Sequence, residues 1–213
     1  MKLIIFGSTG GTGRQIMTQA LEQGYKVTAF ARNPEKLDQK HDKLEVIKGN
    51  VLEFASVERA IQGQDIVLCT LGMPAIMDKS RLRANGTKNI IRAMKQNGVK
   101  RLICQSALGV GDSYEILPFY YRYFIIPLFM HRLYADHNIQ ENYIKDSQLD
   151  WTIVRAGILT DGEHTASYQH GFTANNKTIT LKISRADTAD FMLKQLADNN
   201  YLHKTPCISN ILA

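Results

Sequence analysis

The hydrophobic positions of this chain fall into short apolar runs, separated by stretches in which they recur with helical period. Leu3-Ile4-Ile5-Phe6 opens the chain as a strand buried on both faces, since nothing polar interrupts it. Ile16, Met17, Ala20 and Leu21 follow at helical spacing up to Gly24. Further strands are expected over Lys26 to Arg32, Leu44 to Ile47, Ile66 to Cys69, Val99 to Cys104 and Leu149 to Arg155. Between them the pattern predicts short helices over Glu35 to Asp38 and Ser56 to Gln62. It also predicts a long helix from about Lys79 to Asn97, with Ile90, Ile91 and Met94 inward, and another over His131 to Ser147. Alternating strands and helices with short turns imply right-handed crossovers. The expected fold is α/β, a doubly wound, mostly parallel sheet with helices on both faces. No linker, repeat or low-complexity stretch divides residues 1–213, so a single domain is expected.

The pattern changes beyond the fifth strand. Tyr114 to Met130 is aromatic and apolar, but Pro118, Arg122 and Pro127 interrupt it, and its apolar runs are too short to span a bilayer. It is expected to pack over the sheet and line an apolar pocket. A lid over a flat ligand and a peripheral membrane contact are the alternatives. Thr178 to Ile183 alternates like a half-exposed strand. Ser184-Arg185-Ala186-Asp187 then reads as a capping box, with Ser184 as N-cap and Asp187 returning to its N–H, which makes Asp187 structural. Residues 112–147 and 156–183 are expected to build the substrate side.

Composition excludes more than it identifies. The net charge of +6 is scattered, with no Lys/Arg block, so nucleic acid is not an expected partner, although a positive field favours polyanionic cofactors. Cys69, Cys104 and Cys207 have no metal spacing, so no metal is expected, and Cys69 and Cys104 end apolar runs as reduced core thiols. The N-terminal run has one Lys and five apolar residues before Gly7, a strand rather than a signal peptide, and a cytoplasmic location is expected.

The chemistry concentrates after the first strand, where Gly7, Gly10 and Gly13 stand at G-x-x-G-x-x-G spacing between a strand and a helix. Glycine there allows positive φ and lets a phosphate approach backbone N–H groups at a helix N-terminus, so Gly7, Thr9, Gly10, Gly11, Thr12 and Gly13 are expected to cradle a dinucleotide. The second strand ends in Arg32, with Lys36 shortly after, where an acidic residue would select NAD. A guanidinium there favours the 2′-phosphate of NADP. Asn50 and Val51 are expected beside the adenine, and Leu71, Gly72 and Met73 beside the ribose and pyrophosphate.

Phe6-Gly7-Ser8-Thr9-Gly10-Gly11-Thr12-Gly13, Arg32 with Lys36-Leu37, Gly49-Asn50-Val51, Leu71-Gly72 and Gln105-Ser106-Ala107 together resemble the atypical short-chain dehydrogenase/reductases. Asp136-His137, Leu149 to Val154 and Ser184 to Met192 add a resemblance to the biliverdin-IXβ reductase/flavin reductase group, which is close to the NmrA-like proteins. The resemblance covers nearly the whole chain. It implies a Rossmann fold and an NADPH-dependent reductase of flavins, tetrapyrroles such as biliverdin, or quinone-like acceptors. It makes Ser106 and His137 the catalytic candidates beside the nicotinamide. Helical spacing puts Glu141 on the face of His137, where it could orient the imidazole. The Tyr-x-x-x-Lys pair is absent, since Tyr134 is followed by Asn138, which argues against ordinary carbonyl/alcohol chemistry. The second His of the biliverdin group is absent from Val154 to Leu159, which weakens biliverdin more than flavin, while Arg155 is either a substrate-facing cation or a buried partner to a carboxylate. Hydride transfer with a proton from solvent or His137 is the expected mechanism. An NADP-sensing NmrA-like regulator that binds a protein partner is the alternative. A small aromatic acceptor and a monomer or weak homo-oligomer complete the expectation.

Overall fold

Leu3 to Phe6 of β1 (Lys2–Phe6) are fully buried. Their side chains alternate between two cores: Ile4 and Phe6 enter one, Leu3 and Ile5 the other. That division organises the whole molecule. The computed structural model describes residues 1–72, 80–174 and 178–212. Among these, one sheet has the spatial order β3 (Leu44–Lys48), β2 (Lys26–Ala31), β1, β4 (Ile66–Cys69), β5 (Arg101–Ala107), β6 (Asp150–Ala156), β10 (Cys207–Asn210), β8 (Tyr168–His170). Every pairing is parallel except that of β8 with β10. A separate parallel pair joins β7 (Ile158–Thr160) to β9 (Lys182–Ser184).

The helices divide as the two cores require. α1 (Gly11–Glu22) and α5 (Arg185–Lys194) bury Ile16, Met17, Phe191 and Met192 on one face. α2 (Phe54–Ile61), α3 (Leu82–Gln96) and α4 (His131–Lys145) bury Val57, Ile90, Met94 and Ile144 on the other. The doubly wound, mostly parallel Rossmann architecture is therefore the one expected. The strand order reverses between β1 and β4, and that switch point leaves a crevice outside the carboxyl ends of the strands.

Four details differ from the sequence pattern. The polar turn after β2 is a 3₁₀ turn over Pro34–Lys36. Thr178 to Ile183 is not a single strand: Ile179 makes an isolated bridge to Ile211, and only Lys182–Ser184 forms β9. β8 and β10 have only 3 and 4 residues, too few for a readable alternation. Ser184 does cap α5, accepting from the Asp187 N–H at 2.9 Å. The Asp187 carboxylate, however, accepts from the Thr165 and Ala166 N–H groups, both at 2.8 Å, rather than returning to Ser184. Asp187 is structural in another way: it pins the 161–167 loop to the head of α5.

The aromatic segment becomes a 3₁₀ turn over Gly111–Ile116 and a π-helical stretch over Tyr121–Met130. Leu117 and Ile126 pack with Leu108, Phe172 and Cys207 in a third apolar cluster.

Candidate cofactor and substrate cleft

A continuous cavity of about 590 Å³ opens along the carboxyl ends of β1, β2, β4, β5 and β6. One end is the glycine turn. Gly7 has φ +91°, and a Cβ there would lie 2.4 Å from the Thr70 carbonyl oxygen, so both conformation and contact require glycine. A Cβ on Gly13 would meet the Gly7 carbonyl oxygen at 2.2 Å, so α1 can start this close to β1 only with a bare Cα. Ser8 donates to the Phe30 carbonyl at 3.0 Å, which locks the turn to the end of β2. No side chain caps α1, and its first N–H groups remain at the turn, where a phosphate would accept from them. The residues present thus fit the pyrophosphate of a dinucleotide.

Gly7, Thr9, Gly10, Gly11 and Thr12 line the cavity, as do Arg32, Lys36, Val51, Leu71 and Gly72. Arg32 and Lys36 are exposed cations at the β2 end. Gly13 acts instead through the close approach of α1. The Asn50 side chain does not line the cavity: it accepts from the Leu52 N–H at 3.1 Å and donates to Glu53, so it shapes the turn after β3. Met73 lies outside the described residues. Arg185 was not foreseen as a site residue. Its side chain lies against Gly11, where a Cβ would meet Arg185 Cδ at 2.4 Å, and it pairs with Asp161 at 2.6 Å. A basic residue directly after a helix N-cap was the signal, hidden by the reading of that segment as a cap.

At the other end, the cavity reaches Ser106, near the carboxyl end of β5, and His137 on α4. Both are buried, and both hold to a polar lattice behind the cleft wall. Ser106 donates to Glu141 Oε1 at 2.8 Å. Glu141 also receives Arg155 through two bonds, Nε at 3.0 Å and Nη2 at 2.8 Å, and Lys145 Nζ at 3.0 Å. Burial alone would raise the Glu141 carboxyl, but the bonds and charge of Arg155, with Ser106 and Lys145, outweigh it and leave the group ionised below its ordinary range. Arg155 is therefore the buried partner of a carboxylate. It is 1% exposed and also meets Asp112.

Glu141 does not orient His137. The His137 Nδ1 faces Ser106 Oγ at 3.4 Å and Gln140 Oε1 at 3.3 Å. Gln140 Nε2 donates to Thr87 at 2.9 Å, so its oxygen is the end turned to the imidazole. Ser106 has given its one proton to a carboxylate. Both neighbours of Nδ1 thus present lone pairs, which assigns the proton to Nδ1. Burial, then the nearby Arg83 charge, lower the imidazole to about 3, so His137 is neutral at physiological pH and is no proton donor. Burial, then Tyr121 and Tyr114, raise the cavity-lining Tyr134 to about 12, and its hydroxyl donates to the Leu108 carbonyl at 3.0 Å.

Arg83 is a further residue that sequence reasoning missed. It lines the cavity and is buried, 3.9 Å from Asp136. Asp136 in turn caps α3, accepting from the Arg83 and Ala84 N–H groups at 3.2 and 3.1 Å. Gln105, Leu108, Leu117, Tyr121, Met130 and Leu133 complete the wall around Ser106.

Residues 7–199 match a family model described as NAD(P)H-binding. A chloroplastic protein of Arabidopsis thaliana, At2g34460, is 29% identical over 174 residues, covering 78% of this chain and 62% of its own length. The chain spans less than half the length of several other curated relatives. Among solved structures, ChuY, titled an anaerobillin reductase of Escherichia coli O157:H7, superposes with TM-score 0.80 at 20% identity, covering 99% of this chain and 97% of that one. A Veillonella parvula short-chain dehydrogenase/reductase in complex with NADP gives TM-score 0.80 at 18% identity, over 98% and 94% of the two chains. With the glycine turn, the switch-point crevice and a matching model over most of its length, the chain belongs to the NAD(P)H-binding family of Rossmann proteins.

Proposed function

We propose that this protein is an NADPH-dependent reductase of a flat conjugated acceptor: a flavin, a tetrapyrrole such as biliverdin, or a quinone-like molecule. The observation that carries the reading is the continuity of the cleft. One cavity is lined both by the phosphate cradle and by an apolar wall of Leu108, Leu117, Tyr121 and Met130 around Ser106 and His137. When bound, NADPH supplies the hydride. The protein's part is to hold both partners, exclude water and fix the field. Gly7 to Thr12 and Arg185 would hold the pyrophosphate, and Arg32 with Lys36 the 2′-phosphate. Val51, Leu71 and Gly72 would flank the adenosine and ribose. Ser106 would accept a hydrogen bond from a ligand N–H, and neutral His137 would pack against the ring. A reducing cytoplasm suits Cys69, Cys104 and Cys207, all buried free thiols.

Stopped-flow NADPH oxidation with FMN, riboflavin and biliverdin tests the reading. Rates above those in free solution support it, and rates equal to free solution for all three overturn it. A second reading, an NADP-sensing regulator of the NmrA-like kind, is favoured by one observation: His137 is neutral at physiological pH and Ser106 has committed its proton to Glu141. Nucleotide binding without turnover of any acceptor would select it.

A further inference from the structure

One guanidinium in the cleft wall has donors left over. Arg83, in the first turn of α3, lines the cavity and is 8% exposed. Neither its Nε nor its Nη1 has a hydrogen-bond partner, and both are shut away from water. Asp136 Oδ2 stands 3.9 Å from Nη1, an ion-pair distance but too long for a hydrogen bond. The two Asp136 oxygens accept instead from the N–H groups of Arg83 and Ala84. Arg155, the other buried arginine among the described residues, shows the contrast. Its Nε, Nη1 and Nη2 all donate to carboxylates, those of Glu141 and Asp112. A charged donor buried without an acceptor is costly, and such an exception calls for an explanation.

Asp136 balances the charge of Arg83, so what the guanidinium lacks is an acceptor lone pair, which a neutral carbonyl oxygen supplies. The Ser106 end of the cleft is correspondingly short of donors. Ser106 has given its proton to Glu141, the Nδ1 proton of His137 faces Ser106 and Gln140, and the Tyr134 hydroxyl is spent on the Leu108 carbonyl. The charge of Arg83 is felt at this end, because after burial it is what lowers the His137 imidazole to about 3. Ser106 therefore offers a lone pair, and Arg83 offers N–H groups and a positive charge.

We propose that Arg83 donates to a carbonyl oxygen of the acceptor's conjugated system, reached by a turn of its outer side-chain torsions, and stabilises the negative charge that reduction places there. The role rests on the reductase reading. As the hydride from NADPH forms a C–H or N–H bond on the acceptor, one π bond breaks and NADPH becomes NADP⁺. The acceptor is left with a single negative charge, shared with its carbonyl oxygen until a solvent proton neutralises it. The bond to Arg83 strengthens as that charge develops, so it raises kcat more than it tightens binding of the oxidised acceptor. With Ser106 accepting from N–H, the acceptor that fits carries N–H and C=O on one conjugated system, as the lactam and imide groups of tetrapyrroles and flavins do.

The test compares wild type, Arg83→Met and Arg83→Lys. Anaerobic titration calorimetry near pH 8, with NADP⁺ present, measures binding of oxidised riboflavin and of photoreduced riboflavin, which is then an anion. Wild type should bind the reduced form about tenfold more tightly than the oxidised one. Arg83→Met should lose that preference while binding oxidised riboflavin nearly as before. In riboflavin turnover, kcat should fall about a hundredfold in Arg83→Met with little change in KM. Arg83→Lys keeps the charge beside Asp136, and should recover part of both effects even where methionine compromises the fold. The same preference for reduced riboflavin in all three proteins overturns the proposal. So does a loss of NADPH affinity in the variants, which would give the guanidinium to the cofactor, or a loss of activity confined to FMN, which would make it a phosphate site. Wild-type turnover of riboflavin that Arg83→Met leaves unchanged removes the role of Arg83 alone. Failure of the wild type to turn over FMN, riboflavin or biliverdin removes the reductase reading and this role together.

Discussion

His137 offers a direct measurement of the field inside the cleft. Its imidazole is 6% exposed and lowered to about 3 by burial, with Arg83 adding to the effect. In the unfolded chain a histidine titrates near 6.5. The folded value is the lower one, so between about 3 and 6.5 the unfolded chain binds the extra proton and stability falls as pH falls. The contribution is fully present above about pH 6.5 and diminishes by about 1.4 kcal/mol per pH unit below it, roughly 2 kcal/mol at pH 5. Urea unfolding of wild type and His137→Gln near pH 7.5 and pH 5 isolates this quantity. Glutamine does not titrate, and the remaining histidines contribute equally to both proteins. Glu141 and Asp112, both shifted down, are common to the two proteins. The difference between the two pH values should therefore be about 2 kcal/mol smaller in the variant. Equal pH dependence of the two proteins would show that the folded imidazole titrates normally, and the neutral-histidine account of the site would fall.

Glu141→Gln should destabilise the fold by about 3–5 kcal/mol in the same assay, because Arg155, 1% exposed, would be left with only the largely exposed Asp112; a loss under about 1 kcal/mol would mean that the buried pair is not what holds α4 to β6. Arg32→Ala should weaken NADPH by about 1.5–3 kcal/mol more than NADH in titration calorimetry, and equal weakening would remove Arg32 as the reader of the 2′-phosphate. Gly13→Ala should lower both stability and NADPH affinity, by about 1–3 kcal/mol for a Cβ forced onto the Gly7 carbonyl, and an unchanged melting temperature would refute that contact. Ser106→Ala should slow turnover of acceptors that carry ring N–H groups more than that of a quinone; equal slowing would deny Ser106 its role as acceptor.

The sheet was legible because β1 beyond Lys2 and the whole of β4 are apolar, as strands covered on both faces must be. The phosphate end of the cleft was legible because a glycine spacing expresses backbone geometry, which is local. The Ser106 end was only half legible for the opposite reason. Helical spacing correctly put His137 and Glu141 on one face of α4, yet it could not say what that face meets. The β5–β6 register sets Ser106 beside Arg155. The cation thus arrives from β6, 14 residues beyond Glu141, and takes the carboxylate from the imidazole. Asp187 failed in the same way: the capping pattern was real at Ser184, but a distant loop competed for the carboxylate. Asn50 follows β3 as expected, but its side chain is claimed by its own turn rather than the cleft, as short amides often are.

The lattice behind Ser106 fixes more than geometry. A buried carboxylate held ionised by Arg155 accepts hydrogen bonds and gives none, so the single Ser106 proton is committed to it. The Nδ1 proton of His137 points back at Ser106 and Gln140. What Ser106 still offers the cleft is a lone pair, and that lone pair is complementary to N–H rather than to carbonyl oxygen. A carboxamide, a flavin and a pyrrole all carry such a group, and a simple quinone does not. Within the proposed acceptor range, the hydrogen-bond polarity of the site therefore ranks nitrogen heterocycles above quinones. That ranking comes from the direction of protons in a buried network rather than from the shape of the pocket.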